Sequence, residues 1–295
     1  MVLDHPRLSP RQRELIDGWL PGAVLVRDCS WGLVGTTVLE VEQGLDHLVV
    51  KAGDAHDHHI ARELRAHLHW LTPWTSTGHA GRLRQYDDEA KVLVTEFVPG
   101  DLVLGHPSAE APDTYRQAGA LLARFHCQTS VPDGGYEARE NAKSVGWLDK
   151  SHRIAPDVEE QLRAEIRSWP VPASVLVPTH GDWQPRNWVI DGDVVRVIDF
   201  GRADLRPAAT DLARLAAQEF RRDPRLEAAF FDGYGADPRE RHAWHRTRVR
   251  EAIGTAAWAH MVGDTAFEVQ GLRMIAEALD RDAGDVPPCP PPPNR

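Results

Sequence analysis

The sequence contains little cysteine and no long hydrophobic run. Its 295 residues include three cysteines, Cys29, Cys127 and Cys289, with neither a CxxC motif nor a Cys/His ligand spacing. Because disulfide frameworks and zinc knuckles need such spacings, we expect neither, and a reducing compartment fits. No apolar run approaches the roughly 18 residues that cross a bilayer, and the first residues carry charges and prolines instead of an apolar signal. We therefore expect a cytoplasmic protein without an anchor.

Positive charge is also scarce. The chain has 34 basic and 44 acidic residues, which gives a formal net charge of −10. A protein that binds nucleic acid or an anionic membrane mainly by electrostatics needs the opposite excess. We therefore expect neither as a partner, and a small molecule that is cationic or neutral is easier to accommodate. With 42% apolar and 26% charged residues, the chain should fold into a globular structure.

The order of the hydrophobic periodicities predicts two lobes and an α+β fold. Short β-like runs fill 23–52 and 82–98, with a helical pattern over 57–70 between them. After residue 99 the pattern is mainly helical, apart from a loop-rich stretch over 129–157 and strand-like apolar runs over 174–179 and 187–200. The predicted parts are a small antiparallel-sheet N-lobe over 1–98, a larger and mainly helical C-lobe over 99–283, and a disordered proline-rich tail over 284–295.

One constellation of polar residues carries the chemistry. Asp182 stands five positions before Asn187, and Asp199-Phe200-Gly201 follows after a hairpin signal at Asp191-Gly192. Antiparallel pairing across that turn brings Asn187 close to Asp199. Amide and carboxylate oxygens suit Mg²⁺, which takes one or two protein carboxylates together with substrate phosphates. Asp182 can then point toward an attacking hydroxyl. A polar turn would explain each residue alone, but it would not explain their joint spacing.

The segments 180–187 and 197–201 resemble the catalytic and metal-binding loops of the aminoglycoside phosphotransferase and choline kinase family, small-molecule relatives of the protein kinases. The resemblance covers most of the chain and implies a bilobal protein-kinase-like fold. By that resemblance Asp182 is the catalytic base or hydroxyl-orienting residue, Asn187 and Asp199 hold Mg²⁺, and His180 is a scaffold residue.

The resemblance also implies a reaction. ATP or GTP would donate its γ-phosphate to a hydroxyl group of a small polar molecule. An aminoglycoside-type antibiotic is one candidate acceptor, which would make the protein an antibiotic-resistance enzyme. Choline, another amino alcohol and a sugar metabolite are the alternatives. We expect a monomer or a homodimer.

The N-terminal part contains matching candidates for nucleotide binding. Lys51 ends the third predicted strand, and it is one of four lysines in a chain with 30 arginines. A compact point charge at this position suits the α- and β-phosphates, and Glu63 resembles the residue that orients such a lysine. The backbone of Glu96 and Val98 resembles a hinge that meets the adenine edge. The two glycines of the loop over 30–36 would let backbone amides approach the phosphates.

Two other functions stay open at this point. Five histidines crowd residues 56–69, and His59, Glu63 and His67 share one helical face at four-residue spacing, which could ligate zinc or nickel. The HExxH motif is absent, however. The second alternative is a kinase-like scaffold that binds nucleotide without catalysis, although such proteins usually lose the base or a metal ligand, and here both kinds of residue are present.

Two further residues have open roles. Arg186 stands before Asn187, where the family resemblance predicts a small residue, and it either forms a surface ion pair or lies near the transferred phosphate. Asp211 resembles a structural aspartate that caps a helix under the catalytic loop, and an ordinary N-cap explains it equally well.

Overall fold

The computed structural model describes residues 5–31 and 35–280. The predicted tail over 284–295 lies outside the described residues, as do three residues of the predicted phosphate-covering loop over 30–36. Within the described part of the chain, no helix is long and apolar enough to span a membrane.

The described residues contain eleven α-helices, eleven strands and three short 3₁₀ helices. The α-helices are α1 (Pro10–Trp19), α2 (His59–His69), α3 (Thr72–Thr75), α4 (Pro112–His126), α5 (Tyr136–Leu148), α6 (Pro156–Ser168), α7 (Ala213–Ala217), α8 (Glu219–Arg222), α9 (Pro224–Tyr234), α10 (Arg241–Val262) and α11 (Thr265–Leu279). The strands are β1 (Val24–Asp28), β2 (Thr37–Gln43), β3 (Asp46–Ala52), β4 (Leu83–Asp87), β5 (Val92–Glu96), β6 (Asp101–Leu102), β7 (Val131–Asp133), β8 (Ser174–Thr179), β9 (Trp188–Asp191), β10 (Val194–Val197) and β11 (Asp204–Arg206). The 3₁₀ helices are Pro107–Glu110, Pro185–Asn187 and Ala208–Leu212.

The described residues form two compact units. The first unit runs to Val131 and includes Val175–Asp237, and the second consists of Pro132–Ser174 and the residues from Pro238 onwards. The first unit therefore contains the sheet-rich part and both segments that carry the predicted chemistry. This division follows compactness and not chain order, so the lobes over 1–98 and 99–283 stay a prediction.

An antiparallel sheet forms the N-terminal part of the first unit, in the order β1-β2-β3-β5-β4. Side chains alternate between the two faces of a strand, so the buried Leu48, Val50 and Ala52 of β3 share one face. These side chains pack in a core with Ile16 of α1. The alternation therefore places Lys51 on the opposite face of the sheet.

Helix α2 packs on the sheet through Ile60 and Leu64, which form a small core with Leu93 of β5. Glu63 is buried as well, because a residue three positions after Ile60 lies on the same helical face. The helix thus brings a carboxylate to the sheet where Lys51 projects from it.

The hairpin of β9 and β10 has the predicted position. Trp188 pairs with Val197, and Gly192 adopts a positive φ of 60° in the connecting turn. Beyond the paired residues, the Ile198 amide donates to the Asn187 carbonyl over 3.0 Å. This confirms the predicted antiparallel pairing that brings Asn187 to the segment before Asp199.

The second unit contains a helix that the sequence analysis missed. The stretch over 129–157, expected to be rich in loops, includes α5. The buried face of α5 contains the polar Glu137, whose carboxylate accepts hydrogen bonds from Arg246 Nε at 2.8 Å and Arg250 Nη2 at 2.7 Å, both on α10. Because that face carries a buried ion pair as well as apolar side chains, its apolar periodicity is weak.

Helices α4 and α9 of the first unit approach each other at two glycines. A Cβ atom added at Gly119 would overlap the Phe230 carbonyl, and one added at Gly233 would overlap the Arg116 carbonyl. The absence of side chains at both positions therefore sets the distance between the two helices.

Replacing Gly119 by alanine should lower the free energy of unfolding by about 1–3 kcal/mol, because the helices must separate to admit the methyl group. The control is Gly146→Ala in α5, where an added Cβ has nothing within 4 Å. That change should leave the protein as stable or up to about 1 kcal/mol more stable. Urea unfolding measures both, and equal midpoints for Gly119→Ala and the wild type would contradict this packing argument.

Candidate active site

A buried cation with two carboxylates forms the first part of the site. Lys51 Nζ lies 2.8 Å from both Glu63 oxygens and 3.3 Å from Asp199 Oδ1. The Lys51 side chain is 12% exposed. Burial alone would lower the pKa of Lys51, but the charges of Glu63 and Asp199 raise it above its ordinary value. The ammonium group is therefore fixed in place and charged at neutral pH.

Asp199 has a strained backbone and an accessible carboxylate. Its φ of 65° lies in the left-handed region, which is uncommon for a residue other than glycine. Desolvation alone would raise the pKa of Asp199, but Lys51 holds it below the ordinary value. The side chain is 53% exposed, and its hydrogen bond to Lys51 uses Oδ1. Within the described residues, the second oxygen accepts no hydrogen bond.

Asn187 supplies a second oxygen at the same end of the hairpin. Its side-chain amide nitrogen donates to the Asp182 carbonyl over 2.8 Å, and its backbone amide donates to the Gln184 carbonyl over 2.9 Å. These bonds fix the orientation of the side chain, and within the part of the chain that the structure describes, Oδ1 has no hydrogen-bond partner. One amide oxygen and one carboxylate are a donor set that fits Mg²⁺ completed by phosphates and water.

Asp211 binds the loop over 180–187, which is called the catalytic loop after its predicted role. Its carboxylate accepts hydrogen bonds from the amides of His180 at 2.8 Å and Gly181 at 2.6 Å, and from His126 Nε2 at 3.0 Å. His180 in turn lies 3.1 Å from the Ile198 carbonyl through Nε2, which ties the loop to the segment before Asp199. Gly181 has a φ of 78°, and an added Cβ would overlap a neighbouring carbonyl, so the turn requires glycine.

This arrangement corrects the expected role of Asp211. The expected helix cap is wrong, because the carboxylate accepts hydrogen bonds from the amides of the catalytic loop. The N-cap residue of the following helix α7 is Leu212, whose side chain makes no capping bond.

Asp182 is almost completely buried and carries several positive neighbours. Its Oδ1 accepts hydrogen bonds from Gln184 Nε2 at 2.5 Å and from Arg214 of α7, and its Oδ2 accepts one from Arg186 Nη2 at 2.6 Å. Burial alone would raise the pKa of Asp182, but Arg214, Arg186 and Arg202 hold it far below the ordinary value. The carboxylate is therefore ionised at neutral pH and accepts hydrogen bonds.

The partners of the catalytic loop were not predicted from the sequence. Arg214 lies 32 positions from Asp182, and His126 lies 85 positions from Asp211. A histidine among the apolar positions of α4 is the one available signal, because a buried polar side chain needs a partner. Arg214 carries no such signal in a chain with 30 arginines.

Glu96 and Val98, the residues predicted to meet adenine, differ in whether their backbone amides are free to bind it. The Glu96 amide donates to the Arg82 carbonyl over 2.9 Å, and the Glu96 carbonyl lies against Gly81. Within the described residues, the Val98 amide makes no hydrogen bond. Val98 thus has a donor available to a ligand, while the Glu96 amide is already bonded, and both adenine contacts stay predictions.

The histidine-rich helix has partners that leave no metal site there. His59 Nδ1 lies 2.9 Å from the Gly201 carbonyl, and Glu63 binds Lys51. His67 packs edge-on against Phe200, and burial together with Lys51 lowers the pKa of His67 to about 3. Among the residues described, no group of three or more His, Cys, Asp or Glu side chains is arranged to hold a metal. The zinc or nickel alternative therefore gains no support.

Comparison with solved structures places the fold in a known class. The structure is similar to choline kinase LicA from Streptococcus pneumoniae, with a TM-score of 0.64 and 14% identity over 90% of this chain and 96% of that one. It is also similar to a thermostable mutant of aminoglycoside phosphotransferase APH(4)-Ia in a ternary complex with AMP-PNP and hygromycin B, with a TM-score of 0.68 and 11% identity over 92% of this chain and 98% of that one.

A third similar structure is macrolide 2'-phosphotransferase MphH from Brachybacterium faecium, with a TM-score of 0.53 and 16% identity over 91% of this chain and 96% of that one. At such identities the likeness establishes the fold, and it confirms the predicted bilobal kinase-like α+β class. A comparison with the sequences of curated proteins gives no match.

The family of the protein follows from its sequence. Residues 35–246 match the model of the phosphotransferase enzyme family, and the chain belongs to that family. The fold and the family together make the protein an enzyme, a small-molecule phosphotransferase, which confirms the resemblance stated from the two loop segments.

Replacing Asp211 by asparagine should lower the free energy of unfolding at pH 7 by about 1.5–3 kcal/mol, because an amide side chain cannot accept all the buried hydrogen bonds that the carboxylate accepts from His180, Gly181 and His126. Burial alone would raise the pKa of Asp211, but the bond from His126 and the loop amides hold it below the ordinary value. The stabilisation from Asp211 is therefore present above about pH 4 and is lost as the pH falls further.

Chemical denaturation at pH 7 and at stepwise lower pH tests this, with the acid dependence expected to be shallower in Asp211→Asn. The control is Asp113→Asn, since Asp113 is 64% exposed and pairs with Arg116 on the surface. It should change stability by about 1 kcal/mol or less. Equal losses in the two variants would show that Asp211 does not support the loop.

Proposed function

We propose that the protein transfers the γ-phosphate of ATP or GTP, with Mg²⁺, to a hydroxyl group of a small polar molecule. The observation that carries the proposal is the meeting of Lys51, Glu63 and Asp199 within one compact unit that also holds Asp182 and Asn187. A cation for phosphates, oxygen donors for a metal and a buried carboxylate are the groups that phosphoryl transfer requires.

The nucleotide end of the site follows from the charges. Lys51 binds the α- and β-phosphates, and Glu63 holds the Lys51 ammonium group on the face of the sheet that α2 covers. Asn187 Oδ1 and the Asp199 carboxylate are the groups that would hold Mg²⁺, which neutralises charge on phosphate oxygens when it is bound. Val98 contributes its free backbone amide to the adenine edge. Glu96 contributes its backbone carbonyl, because its amide already donates to the Arg82 carbonyl.

Asp182 orients the acceptor. Because its neighbours lower its pKa, Asp182 is a weak base but a charged hydrogen-bond acceptor. In a loose transition state little proton transfer is needed before the phosphorus–oxygen bond of the donor breaks. Asp182 therefore acts by holding the acceptor hydroxyl in line and receives its proton as the new bond forms.

The names of the similar structures support the donor and the acceptor class. One was solved with AMP-PNP and hygromycin B, one is a choline kinase and one is a macrolide 2'-phosphotransferase. These support a nucleotide donor and a small-molecule acceptor for this chain. An aminoglycoside-type antibiotic, with a role in resistance in the cytoplasm, is the first acceptor to test, and choline, other amino alcohols and sugar metabolites are the alternatives.

Replacing Asp182 by asparagine should lower kcat by about 10²–10⁴-fold, because the group that orients the hydroxyl and accepts its proton is lost. The Kd for Mg-ATP should stay within about threefold of the wild type. Replacing Asp199 by alanine should instead weaken nucleotide binding in the presence of Mg²⁺ and leave binding without the metal nearly unchanged. ADP release across an acceptor panel and nucleotide titrations measure these effects.

Asp113→Asn is the matched control, because it removes one exposed carboxylate of the same unit, which bonds to Arg116 and Gln117 and not to the residues of the candidate site. It should match the wild type in both assays. Undiminished ADP release by Asp182→Asn with an active acceptor would exclude the proposed role of Asp182. No difference between Mg²⁺-dependent and Mg²⁺-free binding in Asp199→Ala would exclude the proposed metal ligand.

A further inference from the structure

Arg186 stands directly before Asn187 and is the more exposed of the two arginines that bond to Asp182. Its Nη2 donates to Asp182 Oδ2 over 2.6 Å. The side chain of Arg186 is 37% exposed, compared with 14% for Arg214 and 4% for Asp182. Arg214 therefore pairs with the carboxylate inside the protein, while Arg186 reaches it from the accessible side.

Arg186 has a second neighbour in the loop over 30–36. Its guanidinium carbon lies 6.0 Å from the centre of the Trp31 ring, which is within the range of a cation–π interaction. Trp31 is 46% exposed and belongs to the loop that the sequence predicts to cover the phosphates. The guanidinium group thus contacts both Asp182 and the Trp31 ring.

The hydrogen bonds to Asp182 divide between its two oxygens. Those from Gln184 and Arg214 go to Oδ1, and that from Arg186 goes to Oδ2. If Arg186 turned away, the bonds to Oδ1 would remain and would still stabilise the buried charge. Oδ2 would then be available to a hydroxyl group.

A guanidinium group in this position matches the charge that develops during phosphoryl transfer. In a loose transition state, negative charge lies on the three equatorial oxygens of the transferred group. The planar fork of arginine can donate two parallel hydrogen bonds to two such oxygens. Lysine offers a point charge without that geometry.

We propose that Arg186 is a catalytic residue of the transfer step, an inference that rests on the proposed function. In the free enzyme Arg186 neutralises Asp182, and in the transition state its guanidinium binds oxygens of the transferred phosphoryl group. The bond between the γ-phosphorus and the bridging oxygen breaks, and the nucleoside diphosphate leaves with the electron pair. The acceptor oxygen bonds to phosphorus, and its proton passes to Asp182 Oδ2 and then to solvent.

Three variants separate this role from that of an ion pair that merely stabilises the fold. Arg186→Met removes the charge and keeps much of the side-chain length, and Arg186→Lys keeps the charge without the fork. The control is Arg116→Met on α4, since Arg116 also pairs with a carboxylate, at 2.7 Å from Asp232, and is 46% exposed. Arg116 has no part in the site.

The measurements are steady-state kinetics with an active acceptor and the binding of Mg-ADP with and without aluminium fluoride, which mimics the transferred group. Arg186→Met should lower kcat by about 10²–10³-fold, with the KM for the nucleotide within about threefold of the wild type. It should bind Mg-ADP normally and lose the gain in affinity that aluminium fluoride gives the wild type. Arg186→Lys should recover part of kcat, and Arg116→Met should match the wild type.

A wild-type kcat and a retained aluminium fluoride effect in Arg186→Met, with a lower unfolding temperature, would overturn the inference and leave Arg186 as a stabilising ion pair. Failure of the proposed function would look different. The wild type itself would then bind no Mg-nucleotide and release no ADP with any acceptor, and both proposals would fall together.

Discussion

The ammonium group of Lys51 is the point on which the site depends. It binds the carboxylate of Glu63 on α2 and that of Asp199, which follows β10 and lies 148 positions after Lys51 in the chain. A buried cation with either partner missing would be costly, because its desolvation would not be compensated. The sheet, the helix and the hairpin must therefore all be correctly placed before this one interaction can form.

Alternation along the strands is what makes that placement possible. Leu48 and Val50 enter the core with α1, and a shift of register by one residue would exchange them with Lys51. The same apolar packing that stabilises the sheet therefore also selects the face on which the cation appears. In this way the core determines the position of a charged group that contributes nothing to it.

The fold could be predicted where a periodicity or a turn residue determines it. The strands of the N-terminal sheet and the hairpin about Gly192 follow from alternation and from a local turn signal, and the structure has both. Helix α5 could not be predicted in the same way, because Glu137 lies on its buried face and its stabilising partners lie on α10, 109 and 113 positions away. No local pattern contains that information.

The candidate site could likewise be predicted only where the information in the sequence is local. The spacing of Asp182, Asn187 and Asp199 is local, and antiparallel pairing converts it into proximity without further knowledge of the fold. The groups that set the charge state of Asp182 are not all local: Arg214 comes from a separate helix. The sequence therefore predicts which residues are candidates for the chemistry, while the structure shows the electrostatic environment around them.

The side chains that surround Asp182 are positively charged, although the net charge of the whole chain is negative. The protein carries a formal charge of −10, yet Arg186, Arg202 and Arg214 all act on Asp182. Charges on the surface are screened over about 8–10 Å in physiological salt, so distant acidic residues contribute little at the catalytic loop. If the acceptor hydroxyl binds at Asp182, as we propose, it meets guanidinium groups there. The charge of the acceptor must therefore be inferred from the side chains around Asp182, because the net composition describes a surface that the acceptor leaves behind when it binds.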